Sequence, residues 1–262
     1  MSIRLFSHNI WNFKTHNRND LIAGLIRKYD ADVCHFQECG PKTSRVGETA
    51  IQKLLMPEYA EACLEYAHKN FTPVFYKKDR FSEIDSGYVL FEGKNDADSK
   101  SVTWAVLEEK ATLKRVAVAS THFWWKADSE EDDLQRVENA RCVKKVCDII
   151  EEKYNLPVVV SGDLNCGTNS KQGTHGYDEM VKLGLRDIRY IAKETTDMLT
   201  HHAYPILNDD GVFEKGVMPV RTLDHTFVSG DFSIEFLKFD VLTEQDALDS
   251  SDHCPLLVDF SI

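Results

Sequence analysis

Pro157-Val158-Val159-Val160-Ser161-Gly162-Asp163-Leu164-Asn165 is the stretch from which the rest of the chain is best read. Three β-branched residues, entered from a proline and closed by Ser161-Gly162, describe a buried strand that ends in a loop. On an extended chain residues i and i+2 point the same way, so Asp163 and Asn165 are expected to converge on one spot. Taken alone, the pair reads first as an ordinary Asp/Asn turn, because such turns are common. The other strand ends of the chain decide between the two.

Working outward, Arg115 to Thr121 reads as an apolar strand delivering His122. A long helix from about Leu134 to Tyr154 follows, with Val137, Ala140, Val143, Val146, Ile149 and Ile150 in its apolar stripe. The acids Glu130-Glu131-Asp132-Asp133 ahead of it read as a solvated helix start that favours the macrodipole, not as a metal site. Towards the C-terminus, Tyr177 to Leu183 is a short helix, Thr222 to Val228 a strand carrying Asp224, and Phe232 to Val241 another strand. Ser250-Ser251-Asp252-His253 then precedes the last strand, Pro255 to Phe260.

Towards the N-terminus, Ile3 to Asn9 is a strand. Asn19 or Asp20 is expected to cap a helix with Leu21, Ile22, Leu25 and Ile26 on one stripe. Asp32 to Gln37 is a strand ending at Glu38, and a second helix falls within Gly47 to Met56. Phe71 to Tyr76, Tyr88 to Phe91 and Val102 to Leu107 continue as strands separated by polar turns. There is no repeat, low-complexity run or Pro/Gly/Ser linker, so residues 1–262 read as a single domain. Strand-helix-strand units at both ends with a meander between them predict an α/β fold of two packed sheets flanked by helices, each half of the chain supplying one sheet.

At 262 residues, 42% hydrophobic and 28% charged, the chain can bury a large core and is not disordered. Its 31 basic against 43 acidic residues give a net charge of -12, which argues against a broad footprint for nucleic acid. Met1-Ser2 runs directly into the first strand with no secretory signal, and no apolar run is long enough for a membrane span. Seven cysteines without a Cys-x-x-Cys pattern read as reduced thiols of a cytoplasmic protein.

Collected, the strand ends supply Asn9, Glu38, His122, Asp163, Asn165, Asp224, Asp252 and His253. Hard cations such as Mg²⁺ take oxygen ligands and are typically held by one or two carboxylates beside substrate phosphate. Glu38 with Asp252 could supply that charge, Asp163 and Asn165 could orient a water, and a histidine could stabilise phosphate charge.

These residues fall into six short motifs: Asn9, Gln37-Glu38, Thr121-His122, Gly162-Asp163-Leu164-Asn165, Leu223-Asp224-His225 and Ser251-Asp252-His253. In that order and at comparable spacing, the set resembles the endonuclease/exonuclease/phosphatase (deoxyribonuclease I-like) superfamily over residues 5–260. The resemblance implies a four-layer α/β/β/α sandwich of two mixed sheets flanked by helices, with its site at one edge. It implies a divalent-metal-dependent phosphoesterase, a phosphodiesterase, nuclease or phosphatase using Mg²⁺ or Mn²⁺. Glu38, Asn9 and Asp252 would be the metal residues. Asp163 would orient or deprotonate the attacking water, and Asn165 would hold water or a phosphate oxygen. His253, kept cationic by Asp224, and His122 would contact the phosphate. The substrate would be a phosphate ester, whether small molecule, nucleic acid or lipid headgroup, with no obligate protein partner.

His225 departs from the aromatic tyrosine many members carry after the aspartate, and is read as a packing substitution. His175, His201 and His202 lie in a polar region and receive no role. Trp124-Trp125-Lys126 followed by four acids is a poor lining for polyanionic DNA, though paired indoles could stack on a base, a sugar or a headgroup, or close the core. Two other readings remain: a non-catalytic phosphate-ligand-binding protein on the same fold, and a hydrolase using Cys254 or Ser251 beside His253. The second is disfavoured because sequence-adjacent groups on a strand point to opposite faces. Specificity is expected in the loops Pro41 to Thr49, Trp124 to Asp133 and Gly167 to Gly176.

Overall fold

The computed structural model describes residues 1–11, 18–40, 50–167, 169–171, 173–196, 199–203, 205–230 and 234–262. The loop expected at 41–49, the opening of the second helix and Phe232 lie outside the described residues. In chain order the elements begin with β1 (Ser2–Asn9), α1 (Asn19–Lys28), β2 (Val33–Gln37), α2 (Ile51–Leu55), β3 (Tyr59–Glu61) and β4 (Val74–Lys77). A meander of β5 (Phe81–Leu90), β6 (Ser101–Glu109) and β7 (Arg115–His122) leads to α3 (Glu130–Tyr154), β8 (Val158–Asp163) and α4 (His175–Lys182). Four short strands follow: β9 (Arg186–Asp187), β10 (Glu194–Thr195), β11 (Ile206–Leu207) and β12 (Phe213–Lys215). The chain closes with β13 (Asp224–Val228), β14 (Glu235–Val241), α5 (Gln245–Leu248) and β15 (Leu256–Ser261).

Strands apolar on both faces must be covered on both faces. In β8, Val159 packs into the core between the sheets, while Val158 and Val160 face α3 and α4 alongside Val143, Val146 and Met180. Ile3, Leu5 and Val33 enter the inter-sheet core from the other side, and Phe6 and Phe36 face Ile22, Leu25 and Ile26 of α1. The result is the expected sandwich of helix, sheet, sheet and helix. One sheet runs β10-β14-β15-β1-β2-β4-β3 and the other β5-β6-β7-β8-β13-β9. Each has a parallel pair near its centre, β1 with β2 and β7 with β8. The crossovers of those pairs carry α1 and α3, as parallel neighbours require.

The sheets are not divided between the halves of the chain. β15 returns to pair antiparallel with β1, Ser2 opposite Ser261 and Phe6 opposite Leu257, and β14 lies beyond it. An apolar β1 left at a sheet edge would expose unpaired backbone, and the closing strand covers it. It also carries Ser251-Asp252-His253 to the end of β1. Two local expectations also change. Arg18 precedes α1 without a side-chain cap, and Asn19 is buried as its first residue. The four acids form the first turn of α3, and Asp132 is only 3% exposed. Its carboxylate accepts the Trp124 indole N–H at 2.7 Å, Lys94 at 2.8 Å and the Ser129 backbone N–H at 3.1 Å. These donors, Lys94 foremost, hold it well below the usual carboxylate range despite burial.

All seven cysteines are free thiols, and no described helix is long and apolar enough to cross a membrane. The parallel pair β7–β8 depends on Gly162, which faces Thr121 across the ladder. A Cβ there would lie 1.9 Å from the Thr121 carbonyl oxygen. Gly162→Ala is therefore expected to destabilise the fold by about 3 kcal/mol, the upper end of ordinary overpacking, because rigid backbone must give way. Equilibrium denaturation checks this, and an unchanged midpoint would mean that the strands separate without cost.

Candidate active site

Strand register gathers the polar ends. His122 lies opposite Asp163 in β7–β8, Asp163 opposite Asp224 in β8–β13, and Asn9 opposite Gln37 in β1–β2. Glu38, one residue past β2, has φ of 52° and Asn165 has φ of 49°. Asparagine tolerates this left-handed region, whereas for glutamate it is a strained conformation that the surrounding contacts must hold. Ser120 fastens the two sheets just behind the site, accepting from Gln37 Nε2 at 3.0 Å and donating to the Phe36 carbonyl at 2.9 Å.

Asp163 and Asn165 do converge, but by a different geometry from the one expected. The strand stops at Asp163, and Asn165 N–H donates back to Asp163 Oδ1 at 2.8 Å in an Asx turn. Asn165 Nδ2 then donates to the Phe123 carbonyl at 3.1 Å and lies 3.1 Å from His122 Nε2 and 3.3 Å from Asp163 Oδ2. The turn itself makes the convergence, so the two readings describe the same structure.

Asp163 Oδ2 is the hub. It accepts Asn9 Nδ2 at 3.0 Å and lies 3.4 Å from His122 Nε2 and 3.7 Å from His253 Nε2. Burial alone would raise its pKa, but the charge of His253 and the hydrogen bond with His122 hold it far below the carboxylate range. His253 donates from Nδ1 to Asp224 Oδ2 at 2.8 Å, and the same oxygen accepts the Thr200 hydroxyl at 2.7 Å. Burial opposes the imidazolium, yet Asp224, Asp163 and Asp252 together raise His253 to about 10. Asp252 is itself lowered against its burial by His253 and His201. His122 is lowered by burial and then by Lys100, whose Nζ is 2.9 Å from His122 Nε2.

The expected metal residues do not all group together. Among the described residues three sets could hold an ion: Glu38, His122 and Asp163; Asp163, Asp224 and His253; and His201, Asp252 and His253. Glu38 thus groups with Asp163, while Asp252 groups with the histidines. Asn9 is between them, but turns its amide nitrogen towards Glu38 at 3.3 Å, and its oxygen accepts the Trp11 N–H at 3.1 Å. Among the described residues, the buried Glu38 Oε2 has no hydrogen-bond partner.

Three residues of the site were not expected. Lys100 is 4% exposed, an unusual burial for lysine, and burial lowers its pKa. Thr200 accepts the Leu223 and Asp224 N–H groups at 3.0 and 3.1 Å while its hydroxyl orients Asp224. His201 packs edge-on against His253, with ring centroids 4.4 Å apart. Its Nδ1 accepts Arg221 Nε at 3.0 Å, which places the ring proton on Nε2, 3.6 Å from Asp252. Nothing local marked Lys100 or Thr200, and His201 was marked only by its neighbour His202, a pair that invites a metal reading.

His225 points to the far face, where Nε2 meets the Cys166 carbonyl at 3.0 Å and the ring lies against Tyr177. Its Nδ1 lies 3.5 Å from Asp187, away from the polar cluster. His202 lies 3.4 Å from Cys254 Sγ, and His175 is a surface residue beside Asp133. Ser251 donates its hydroxyl to the Asn9 carbonyl at 2.7 Å, and burial raises the Cys254 thiol far above its usual value. Neither is poised as a nucleophile.

Because His253 has a folded pKa of about 10, above its ordinary 6.5, its protonation favours the native state. That stabilisation is complete below about pH 6.5 and is lost as pH rises through about 10. Asp224→Asn is expected to lower the His253 midpoint by more than about one unit in an NMR titration of the imidazole. It should also flatten the alkaline fall in stability. A midpoint unmoved by the substitution would remove Asp224 as the group that holds the charge.

No family model and no curated protein matches this chain. Solved structures do. An endonuclease/exonuclease/phosphatase from Bacteroides vulgatus aligns over 100% of this chain and 99% of its own, with 22% identity and a TM-score of 0.73. A mannosyl-6-phosphatase from Bacteroides thetaiotaomicron aligns over 99% and 100%, with 19% identity and a TM-score of 0.73. D. rerio TDP2, solved with a single-strand DNA product, aligns over 100% and 99%, with 14% identity and a TM-score of 0.69. The order of layers and the full-length alignments agree: the chain has the endonuclease/exonuclease/phosphatase fold.

Proposed function

We propose that the chain is a divalent-metal-dependent phosphoesterase that cleaves a P–O bond by in-line attack of water. The observation that carries this reading is the pairing of Asp163, buried between two imidazoles and an amide, with a Glu38 oxygen that no described group satisfies. A buried carboxylate oxygen without a donor is costly, and a hard cation is the ligand that answers it. Glu38 would hold Mg²⁺ or Mn²⁺, with Asn9 reversing its amide to present oxygen and Asp252 supplying further negative charge. When bound, the ion would polarise a phosphoryl oxygen and offset the charge that develops there.

The chain's own groups would do the rest. His253 has Nδ1 committed to Asp224, so the cationic ring would offer Nε2–H to a phosphate oxygen. His122, kept uncharged by burial and Lys100, would provide a hydrogen bond beside it. A carboxylate held as far down as Asp163 is a weak proton acceptor, so its part would be to orient the attacking water, with Asn165 fixing its direction. The seven free thiols favour a reducing, cytoplasmic setting, and the continuous cores favour one domain over residues 1–262. A sugar phosphatase and a DNA-product complex both occur among the structural neighbours, and the net charge of -12 favours a small ester over a polyanion here.

Release of phosphate or p-nitrophenol from mono- and diester substrates, with and without chelator, tests the reaction. Asp163→Asn is expected to reduce kcat by about 100-fold or more while a Mn²⁺-induced shift in Tm persists. Glu38→Ala should abolish that shift. Metal-independent turnover, or loss of the Mn²⁺ response in Asp163→Asn but not Glu38→Ala, would contradict this division of roles.

A further inference from the structure

Beside the polar cluster opens a cleft of about 320 Å³ lined in part by Glu38 and Lys100. Trp11, Phe71 and Trp125 contribute aromatic rings to its lining, and Asp96 and Ser99 complete it. The adjacent tryptophans 124 and 125 have parted company: Trp124 is 4% exposed and bound to Asp132, whereas Trp125 is 46% exposed at the cleft. The loop that presents Trp125 is built to do so. The fully buried Arg136 guanidinium donates to the carbonyls of Trp124 and Lys126 on either side of it. The Trp125 indole N–H donates to Asp96, which turns the edge of the ring to a carboxylate and couples the aromatic wall to the acid.

We propose that this cleft takes the sugar ring of a phosphorylated carbohydrate, making the substrate a sugar phosphate monoester. The proposal rests on the phosphoesterase reading of the adjoining polar edge. Three features select the occupant. Lys100 lines the cleft and reaches His122 Nε2 at 2.9 Å, so a ligand with its phosphate at the reacting edge would extend its organic part into the cleft. Asp96 accepts hydrogen bonds and cannot donate them, and Ser99 adds a hydroxyl; a ring bearing several hydroxyl donors suits that pair. The apolar face of such a ring matches an indole wall, while a second phosphate, as in a polynucleotide, would meet Asp96. A nucleoside would also stack on Trp125, and is the alternative that the experiment must separate.

The purified chain with Mg²⁺ is offered hexose 6-phosphates, nucleoside 5′-monophosphates and the ringless glycerol phosphate, and phosphate release is measured. The hexose phosphates are expected to exceed both others in kcat/KM by about tenfold or more. Trp125→Ala should raise KM for hexose phosphate about tenfold with kcat within about twofold, and Trp125→Tyr should restore most of the loss. Quenching of tryptophan fluorescence by hexose 6-phosphate should occur in Glu38→Gln and be lost in Trp125→Ala. Preference for nucleotides, or a KM indifferent to Trp125, would overturn the proposal. Hydrolysis without discrimination would sink the sugar cleft alone, whereas sugar-phosphate binding without any hydrolysis would preserve the cleft and remove the phosphoesterase reading.

Discussion

The ion pair between Asp224 and His253 is the interaction on which the rest of the polar edge depends. Asp224 belongs to β13 in one sheet and His253 precedes β15 in the other, so the pair ties the two sheets together at the site. Both partners are 4% exposed, and a buried pair gains little over an apolar contact unless its hydrogen bonds are complete. Thr200 completes them by donating to the oxygen that also accepts from His253. Breaking such a pair leaves an uncompensated buried charge, typically at a cost of about 3–5 kcal/mol. Once His253 is cationic, Asp163 is held ionised without a direct cation of its own, and Asp252 follows for the same reason. The His253 imidazolium is the foremost stabilising influence on both carboxylates, with His122 adding to it at Asp163 and His201 at Asp252.

Alongside this negative and positive balance stands a second pair, Lys100 with His122, which keeps an imidazole uncharged in the same cluster. Two histidines lie within 4 Å of one carboxylate in opposite charge states, and their neighbours decide which is which. Environments that push like groups apart are what acid-base and electrostatic catalysis require. The cleft at Glu38 adds aromatic side chains, Trp11, Phe71 and Trp125, to the charged groups Glu38, Asp96 and Lys100. On the proposed reading, charge would be handled where the strands end, and the organic part of a ligand would meet Trp125, whose loop Arg136 holds.

Much of this edge was legible in the sequence because each of His122, Asp163, Asp224 and His253 stands where an apolar run meets a polar residue. The run Val158–Val160 reads as a strand covered on both faces, and the structure uses it so. What was hidden is long-range. No local pattern says that β15 pairs with β1, more than two hundred residues away, although that pairing brings His253 to Asn9. Lys100 gives no signal of its own because a lysine in a polar turn is ordinarily solvated. Thr200 and His201 gain their roles only through the Asp224 and Arg221 side chains. Asn165 was legible in identity and not in geometry, since an amide two residues past an acid can meet it by the pleat or by a turn, and φ decides which.

The central claim is that the strand ends form a cation-binding edge at Glu38. Anomalous diffraction from crystals soaked in Mn²⁺ and inorganic phosphate tests it most directly. The account predicts a manganese peak bonded to the Glu38 carboxylate, with a phosphate oxygen facing His253 Nε2. A peak held only by His201 and Asp252, or no ordered ion at a concentration that supports turnover, would contradict it.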